Sequence, residues 1–506
     1  MLINTTKVKN TLCGIVLACA IILGSADASD KTLRLGLASL PPGLGNPFAS
    51  TARTSWYTWR AIFDTLTVLG PDMTTKPALA VSWDSIDKYT WMVELRDGVT
   101  FSNGEPLTAE AVISTFSYLQ SQKAGQEPLS REVQNIVAMR AIGDRTIKFI
   151  TKQPNPNFPA QLTVVPIVPP KYWQEVGRDR FALLPVGTGP FAVTEWQETG
   201  VSFVASAGSW HKPVLDHLEI LALPETSSRV QALLSGQVDI ASEIGPDDVE
   251  ILRAAGHKIY QRPPTSIGVI AFNQSIESPF KDRRVRQALN YAVNKDAIGK
   301  TILAGMVKPA SQMTPHDNPY ANPDLAPYPY DPDLAKALLR EAGYPKGFSF
   351  VYEFSMGTGG AHQAAIYQQV ASDLAKVGVT MDIKPFPWPQ LLRGILQGEW
   401  RSHAFGFEYE TLPTGETLRP FRLHSCTWAH PWYCDEMIQP VIEQAKHMFI
   451  ESERRALIRL ILSRYHEEAA ALLLFEQLGL DAYTPTVTGY SQVNGLIPFA
   501  TLDVGG

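Results

Sequence analysis

The 506-residue sequence is poor in cysteine, in basic clusters and in long hydrophobic runs. Because no strongly basic stretch occurs and the formal net charge is −6, the composition argues against nucleic acid as a partner. Beyond the N-terminus no segment approaches about 18 unbroken apolar residues, so the mature chain is not expected to cross a membrane. Low-complexity tracts and internal repeats are also absent, and 45% hydrophobic residues indicate a folded globular protein.

The sequence also lacks the motifs of several enzyme classes. It has neither a G-x-S-x-G nucleophile elbow nor an H-E-x-x-H zinc motif, and His466 is followed by two glutamates without a second histidine. Gly187 and Gly189 are not followed by the Gly-Lys-Ser/Thr of a phosphate-binding loop. We therefore predict a protein that is not an enzyme and that uses no cofactor.

The N-terminus carries the features of an export signal. Lys7 and Lys9 precede an apolar stretch at residues 12–23, and Ala26-Asp27-Ala28 forms an A-x-A cleavage site. This predicts a cleaved signal peptide over residues 1–28 and a periplasmic protein. Residues 16–19 resemble a lipoprotein box only weakly, so lipid anchoring is the less favoured alternative.

After cleavage two cysteines remain, Cys426 and Cys434, and they flank a loop rich in histidine and tryptophan. In an exported protein such a pair is expected to form a disulfide. A zinc site that also uses His424 and His430 is the competing interpretation, and an oxidising compartment favours the disulfide.

Local patterns predict alternating strands and helices. Residues 90–95 alternate apolar and polar side chains, and a turn at Asp97-Gly98 predicts a hairpin with residues 99–101. Thr108 is placed to cap a following helix, as Asp331 is ahead of Pro332. In residues 283–293 the apolar positions form one helical face, so Arg284, Arg286 and Gln287 are expected to face solvent.

Several segments resemble, in order and spacing, the bacterial extracellular solute-binding proteins of peptide and nickel ABC importers. The segments that carry this resemblance are Leu95-Arg96-Asp97-Gly98-Val99, Gly104-Glu105-Pro106-Leu107-Thr108-Ala109-Glu110, Gly187-Thr188-Gly189-Pro190-Phe191 and residues 279–293. The resemblance implies an α/β protein with the type II periplasmic binding fold, in which two α/β lobes joined by a hinge close on a ligand. It also implies an extra subdomain in the first lobe.

The resemblance divides the chain into six parts. These are the signal peptide (1–28), the first part of lobe I (29–75), its extra subdomain (76–180), its second part (181–266), lobe II (267–478) and a C-terminal return to lobe I (479–506). The implied function is capture of a peptide or small polar solute by a monomer that delivers it to an ABC permease and its ATPase. The alternative ligands are an opine-like conjugate, a nickel chelate or haem.

One departure from the family concerns the ligand anchor. Peptide-binding members carry an Asp-Pro segment whose aspartate pairs with the α-amino group of the ligand, whereas residues 400–416 here contain no aspartate. Glu408 or Glu410 is the candidate replacement, since a carboxylate at this rim can meet an ammonium group. A metal carrier would instead depend on isolated histidines, namely His362, His403, His424 and His430.

The remaining site predictions are positional. The candidate ligand-binding residues are Leu44, Asn46, Phe48, Trp56, Tyr57, Asn273, Met313, Phe354, Trp388, Phe405, Phe407, Glu408, Tyr409, Trp428 and Trp432.

Overall fold

The computed structural model describes residues 30–125, 127–355, 362–493 and 495–505. The predicted signal peptide lies outside the described residues. Within those ranges, no helix combines the length and the apolar character that crossing a bilayer requires.

The described strands are short and are distributed along the whole chain. They are β1 (Thr32–Leu37), β2 (Thr67–Leu69), β3 (Thr75–Pro77), β4 (Ala80–Asp87), β5 (Thr90–Leu95), β6 (Ile136–Ile142), β7 (Thr146–Thr151), β8 (Phe191–Gln197), β9 (Gly200–Ala205), β10 (His217–Ala222), β11 (Ile240–Ala241), β12 (Lys258–Arg262), β13 (Ser266–Phe272), β14 (Ser349–Ser355), β15 (Thr380–Phe386), β16 (Ala404–Glu410), β17 (Ala471–Glu476), β18 (Gly479–Tyr483), β19 (Val487–Thr488) and β20 (Asp503–Val504).

Helices lie between many of these strands. They are α1 (Arg53–Ile62), α2 (Ala109–Gln120), α3 (Phe158–Gln161), α4 (Pro170–Leu183), α5 (Thr226–Leu234), α6 (Val249–Ala254), α7 (Arg283–Ala292), α8 (Lys295–Thr301), α9 (Pro332–Glu341), α10 (Gln363–Ala375), α11 (Trp388–Gln397), α12 (Gln439–His447) and α13 (Glu451–Glu467).

The first lobe is built on a seven-stranded sheet with the order β12-β18-β11-β1-β10-β9-β8. β1 pairs in parallel with both of its neighbours, β10 and β11, while the outer pairs are antiparallel. Leu33, Leu35 and Leu37 of β1 are fully buried in one core with Trp59 of α1. This packing fixes α1 against the sheet and presents the start of the helix toward the second lobe.

The second lobe is built on a five-stranded sheet with the order β15-β14-β16-β13-β17. β13 alternates its side chains between two cores, with Ile267 and Val269 on one face and Ile270 and Phe272 on the other. The chain passes between the two lobes twice, from β12 to β13 and from β17 to β18. Each crossing is only a few residues long, which is the geometry of a hinge between two lobes.

A separate four-stranded sheet, β4-β5-β7-β6, forms the extra subdomain. The predicted hairpin between residues 90–95 and 99–101 is wrong, because β5 pairs with β4 and β7 and Thr100 forms only an isolated bridge with Pro106. The two predicted helix caps are confirmed: Thr108 accepts a hydrogen bond from the Ala111 N–H, and Asp331 accepts one from the Leu334 N–H.

One predicted surface residue is buried. Arg286 is 3% exposed, and its guanidinium donates to the carbonyl oxygens of Phe280 and Glu468 at 2.9 and 2.7 Å. The expectation that it faces solvent is therefore wrong, since backbone acceptors from two other segments replace the water that the side chain would otherwise bind.

Candidate functional site

A cleft of about 1360 Å³ lies between the two lobes. Helix α1 and residues 224–246 line it from the first lobe, while β16, α10, α11 and residues 412–428 line it from the second. The volume exceeds that of typical drug-sized ligand pockets, which measure roughly 300–1,000 Å³. It therefore accommodates a ligand of several residues.

Strand β16 supplies the charged floor of the cleft. Gly406, Glu408 and Glu410 line the cleft at every second position, and Phe407 between them also reaches it, whereas Phe405 and Tyr409 are fully buried. The partner of Glu408 on β13 is Gly268, which has no side chain. The neighbouring strand therefore places no side chain beside the Glu408 carboxylate.

The two glutamates have different partners. The Glu410 carboxylate accepts a hydrogen bond from the Leu412 N–H at 2.9 Å and lies 3.7 Å from Nη2 of Arg53. The hydrogen-bond partner of the Glu408 carboxylate among the described residues is the Ser266 hydroxyl, at 3.5 Å. Burial raises the pKa of both groups, and the charge of Arg53 opposes the rise in each case. Glu408 is thus the less satisfied carboxylate.

A buried polar network supports the cleft at the hinge. Arg262, the last residue of β12, donates from Nη1 to the Tyr57 hydroxyl at 2.6 Å and lies 3.7 Å from Asp481 of β18. Gln492 Nε2 and the Tyr490 hydroxyl both donate to Asp481, at 2.7 and 3.0 Å. Because Arg262 precedes one crossing and Asp481 follows the other, this network ties the two hinge segments together.

The wall formed by α11 is apolar. Trp388, Leu392 and Leu396 are spaced by four residues and expose 47%, 36% and 39% of their surfaces along the cleft. Trp428 extends this wall and is held in place by a hydrogen bond from its indole Nε1 to the Ile395 carbonyl at 2.8 Å. On the opposite side, the buried indole N–H of Trp56 has no acceptor among the described residues.

Five of the fifteen predicted ligand-binding residues line this cleft, and they come from both lobes. They are Trp56, Trp388, Phe407, Glu408 and Trp428.

Seven other predicted residues belong to the packed interior and do not reach the cleft. They are Phe48, Tyr57, Asn273, Met313, Phe405, Tyr409 and Trp432. The reason differs by residue type. The large rings and Met313 are taken up by core packing, as where Phe405 stacks on Trp400 with ring centroids 4.5 Å apart. The amide of Asn273 instead donates to the Ser402 carbonyl at 3.1 Å, next to the end of β13.

Three predicted residues lie elsewhere. Leu44 and Asn46 line a second cavity of about 490 Å³ on the first lobe, where the Asn46 amide donates to Glu127. Phe354 is partly buried and packs on Tyr367, which itself lines the large cleft. The proline-rich loop that follows β1 thus contributes to a different cavity from the one predicted for it.

Cys426, Cys434 and the histidines of the described ranges do not form a metal-binding group. Cys426 and Cys434 form the predicted disulfide. His424 is fully buried against Tyr409, and burial lowers the pKa of its ring to about 3. Among the described residues, no three His, Cys, Asp or Glu side chains come together as a metal-ligating group.

Sequence reasoning missed the arginines of the cleft. Arg53, Arg229 and Arg262 all line it. No local pattern marks Arg53 or Arg262, because their partners are far away in sequence, as Glu410 is for Arg53 and Tyr57 is for Arg262. Arg229 instead donates to the carbonyl groups of nearby loops, such as those of Leu223 and Ser242. One general expectation was available: glutamates predicted at the rim of a cleft are expected to have an arginine nearby as their counter-charge.

Comparison with known proteins places the chain in a family. Residues 74–425 match the model of "Bacterial extracellular solute-binding proteins, family 5 Middle". The chain is 28% identical over 503 residues to di/tripeptide-binding protein 2 of Pseudomonas aeruginosa, covering 92% of this chain and 93% of that protein. It is 30% identical over 349 residues to glutathione-binding protein GsiB of Escherichia coli, covering 67% and 66% respectively.

A solved structure extends the comparison to the fold. NikA from Brucella suis, in complex with Fe(III)-EDTA, matches with a TM-score of 0.80 at 25% identity, covering 94% of this chain and 100% of that chain. This match confirms the predicted type II periplasmic binding fold. Because the family model spans more than half of the sequence, the chain belongs to the family 5 bacterial extracellular solute-binding proteins.

Proposed function

We propose that the mature protein captures a peptide or peptide-like small solute in the cleft between its lobes and presents it to the permease of an ABC importer. It acts in the periplasm as a monomer, and it binds its ligand without converting it. The observation that carries this proposal is the incompletely satisfied carboxylate of Glu408 on the cleft floor.

The Glu408 carboxylate is suited to an ammonium group. A buried carboxylate with a single hydroxyl 3.5 Å away gains most from a charged donor, because charge-assisted hydrogen bonds are roughly twice as strong as neutral ones. Burial in the cleft raises its pKa, because desolvation disfavours the ionised form. The α-amino group of a peptide supplies the positive charge that Glu408 lacks. Glu408 thereby takes the place of the aspartate that the Asp-Pro segment would provide.

The rest of the cleft matches a peptide body. The indole N–H of Trp56 is a buried donor that suits a peptide carbonyl oxygen. The exposed stripe formed by Trp388, Leu392 and Leu396 is adapted to side chains of varied shape, since apolar contact is not directional. These features support a ligand recognised by its backbone and by its ends.

The lobe boundaries are part of this proposal. Lobe I comprises residues 29–75 and 181–266 with the C-terminal return at 479–506, its extra subdomain residues 76–180, and lobe II residues 267–478. The sheet memberships support these limits, because β13 to β17 share one sheet and β4 to β7 share another.

A metal chelate is the second candidate ligand. The likeness to NikA from Brucella suis, whose structure holds Fe(III)-EDTA, favours it. The relatives described as di/tripeptide-binding and glutathione-binding favour the peptide.

Affinity selection from peptide mixtures tests the proposal. The purified protein is incubated with a library of di- to pentapeptides and, separately, with the same library after N-terminal acetylation, and captured peptides are identified by mass spectrometry. We expect capture from the free library and little from the acetylated one. Equal capture from both would contradict the ammonium anchor, and capture from neither would contradict peptide binding.

A further inference from the structure

Three arginines line the cleft on or next to the two short helices through which the extra subdomain contacts lobe II. Arg131 lies in the short helix Pro128–Val133, Arg422 ends the short helix Pro420–Arg422, and Arg419 immediately precedes that helix. Nη2 of Arg419 lies 3.8 Å from Oε1 of Glu132, which brings the two short helices together. We call Arg131, Arg419 and Arg422 the arginine triad; all three line the cleft.

The triad carries more positive charge than its surroundings compensate. No carboxylate of the described residues lies within ion-pair distance of Arg131 or Arg422, and both side chains are exposed to the cleft. Arg419 has Glu132 as its ion-pair partner, and its buried Nε–H has no acceptor among the described residues. Two further carboxylates lie near Arg419: Glu416 is engaged by Asn157 and Arg454, and Glu410 is paired with Arg53.

Unpaired guanidinium groups in a cleft are suited to a carboxylate. Arginine presents donors in a planar fork that matches the two oxygens of a carboxylate, and the match strengthens when closure excludes water. Arg131 and Arg422, which have no ion-pair partner among the described residues, leave charge for more than a single ligand carboxylate. The geometry therefore favours a ligand with at least one acidic group besides its terminal carboxylate.

We propose that the arginine triad is a carboxylate subsite and that the natural ligand is a net-anionic peptide, with its ammonium group at Glu408 and its acidic groups at the triad. This proposal rests on the function proposed above. Glu408 and the arginine triad line the same cleft. Residues 411–419 connect β16 to the triad, and the charge of Arg419 opposes the rise in the pKa of Glu410. The same carboxylate chemistry is found in a metal chelate, so the experiment must separate the two sources.

The test uses matched ligands and matched variants. An equimolar library of tripeptides contains either glutamate or glutamine at each varied position, and the ratio of captured glutamate to glutamine peptides is measured by mass spectrometry. The variant R131Q/R422Q removes two guanidinium groups that have no ion-pair partner within the described part of the chain, so folding is not expected to change. The control R140Q/R340Q removes one exposed arginine from the subdomain and one from lobe II, both away from the cleft.

We expect the wild-type protein and the control to enrich glutamate peptides about tenfold, which is the effect of one charge-assisted contact. R131Q/R422Q is expected to bring the ratio close to one while still capturing glutamine peptides. An unchanged ratio in R131Q/R422Q, or no enrichment by the wild type, would overturn the subsite and leave peptide binding intact.

If no tripeptide is captured, the proposed function fails and titration with Fe(III)-EDTA decides the subsite. Binding weakened by R131Q/R422Q but not by R140Q/R340Q would support a carboxylate subsite that serves a chelate. Binding that both double variants leave unchanged, or no binding at all, would overturn it.

Discussion

Arg53 and Glu410 meet across the cleft, with 3.7 Å between Nη2 of the arginine and Oε2 of the glutamate. Arg53 is the first residue of α1 in the first lobe, and Glu410 is the last residue of β16 in the second. The pair makes two glutamates on one strand unequal, because Glu410 lies within ion-pair distance of Arg53, whereas the hydrogen-bond partner of Glu408 among the described residues is the Ser266 hydroxyl. The pair also links the two lobes, so the distance between the lobes affects how far Arg53 neutralises Glu410.

Glu408 and Glu410 are expected to contribute unequally to ligand binding. E408Q is expected to weaken the binding of peptides with a free α-amino group by about tenfold or more, because an amide cannot supply the negative charge that the ammonium requires. E410Q is expected to weaken it less, since Glu410 is already paired with Arg53. Isothermal titration calorimetry measures both. A larger loss in E410Q than in E408Q would reverse the assignment.

Peptide affinity is expected to fall in mildly acidic solution. Burial raises the pKa of Glu408 above its ordinary value of 4.5, so the carboxylate becomes protonated at a higher pH than an exposed glutamate. Protonation removes the charge that attracts the ammonium group. Titrations at a series of pH values should show a decline that begins above pH 4.5 and is absent in E408Q. An identical decline in E408Q would assign the effect to another group.

The same pKa shift predicts a gain in stability for the empty protein. A carboxylate whose folded-state pKa is raised opposes folding most strongly above that pKa, and this cost shrinks as the pH falls below the folded-state value and vanishes below the unfolded-state pKa. E408Q is therefore expected to have a higher Tm than the wild type at pH 7.5 and a similar Tm at pH 4. Thermal melts of ligand-free protein at both pH values check this. A lower Tm for E408Q at pH 7.5 would mean that Glu408 stabilises the fold.

Trp388 and Phe407 both line the cleft but differ in their packing. Trp388 is 47% exposed, so W388A is expected to reduce ligand affinity about tenfold with little change in Tm. Phe407 packs on Trp432 with ring centroids 5.3 Å apart, so F407A is expected to lower the free energy of unfolding by roughly 2–3 kcal/mol. Denaturant unfolding and calorimetry on both variants separate the roles. Equal destabilisation by the two substitutions would contradict this distinction.

Substitutions at Gly268 test whether the ligand binds next to Glu408. A Cβ added at this position would meet Phe475 O at 3.7 Å and Gln477 Oε1 at 3.9 Å, which is ordinary contact, so G268A should fold and bind as the wild type does. G268L is expected to fold and to lose ligand affinity, because the larger side chain occupies the space next to the carboxylate. Circular dichroism monitors folding, and calorimetry monitors binding. Full affinity in G268L would place the ligand elsewhere.

Features with local causes could be predicted from the sequence. Thr108 and Asp331 were identified as helix caps because the acceptor and the donor lie within three residues of each other. The family resemblance, carried by the order and spacing of short segments, led to the correct fold class. The period-two alternation of residues 90–95 likewise gave the strand β5, although its partners β4 and β7 could not be identified from it.

Features that depend on distant partners could not be predicted. Arg286 lies where helical spacing predicts a surface residue. It is buried nonetheless, and its guanidinium donates to the carbonyl groups of Phe280 and Glu468. Aromatic residues such as Phe405 and Trp432 are equally suitable for a pocket or for a core, and only packing decides between the two. Arg53 gains its role from a carboxylate more than 350 positions away in the chain.

A peptide in the cleft can be identified directly. Native mass spectrometry of the protein purified from its natural source without refolding, followed by denaturing release of bound material, identifies what the cleft carries. We expect release of peptides with free α-amino groups, enriched in acidic residues. Release of a single non-peptide compound or of a metal chelate would overturn peptide binding.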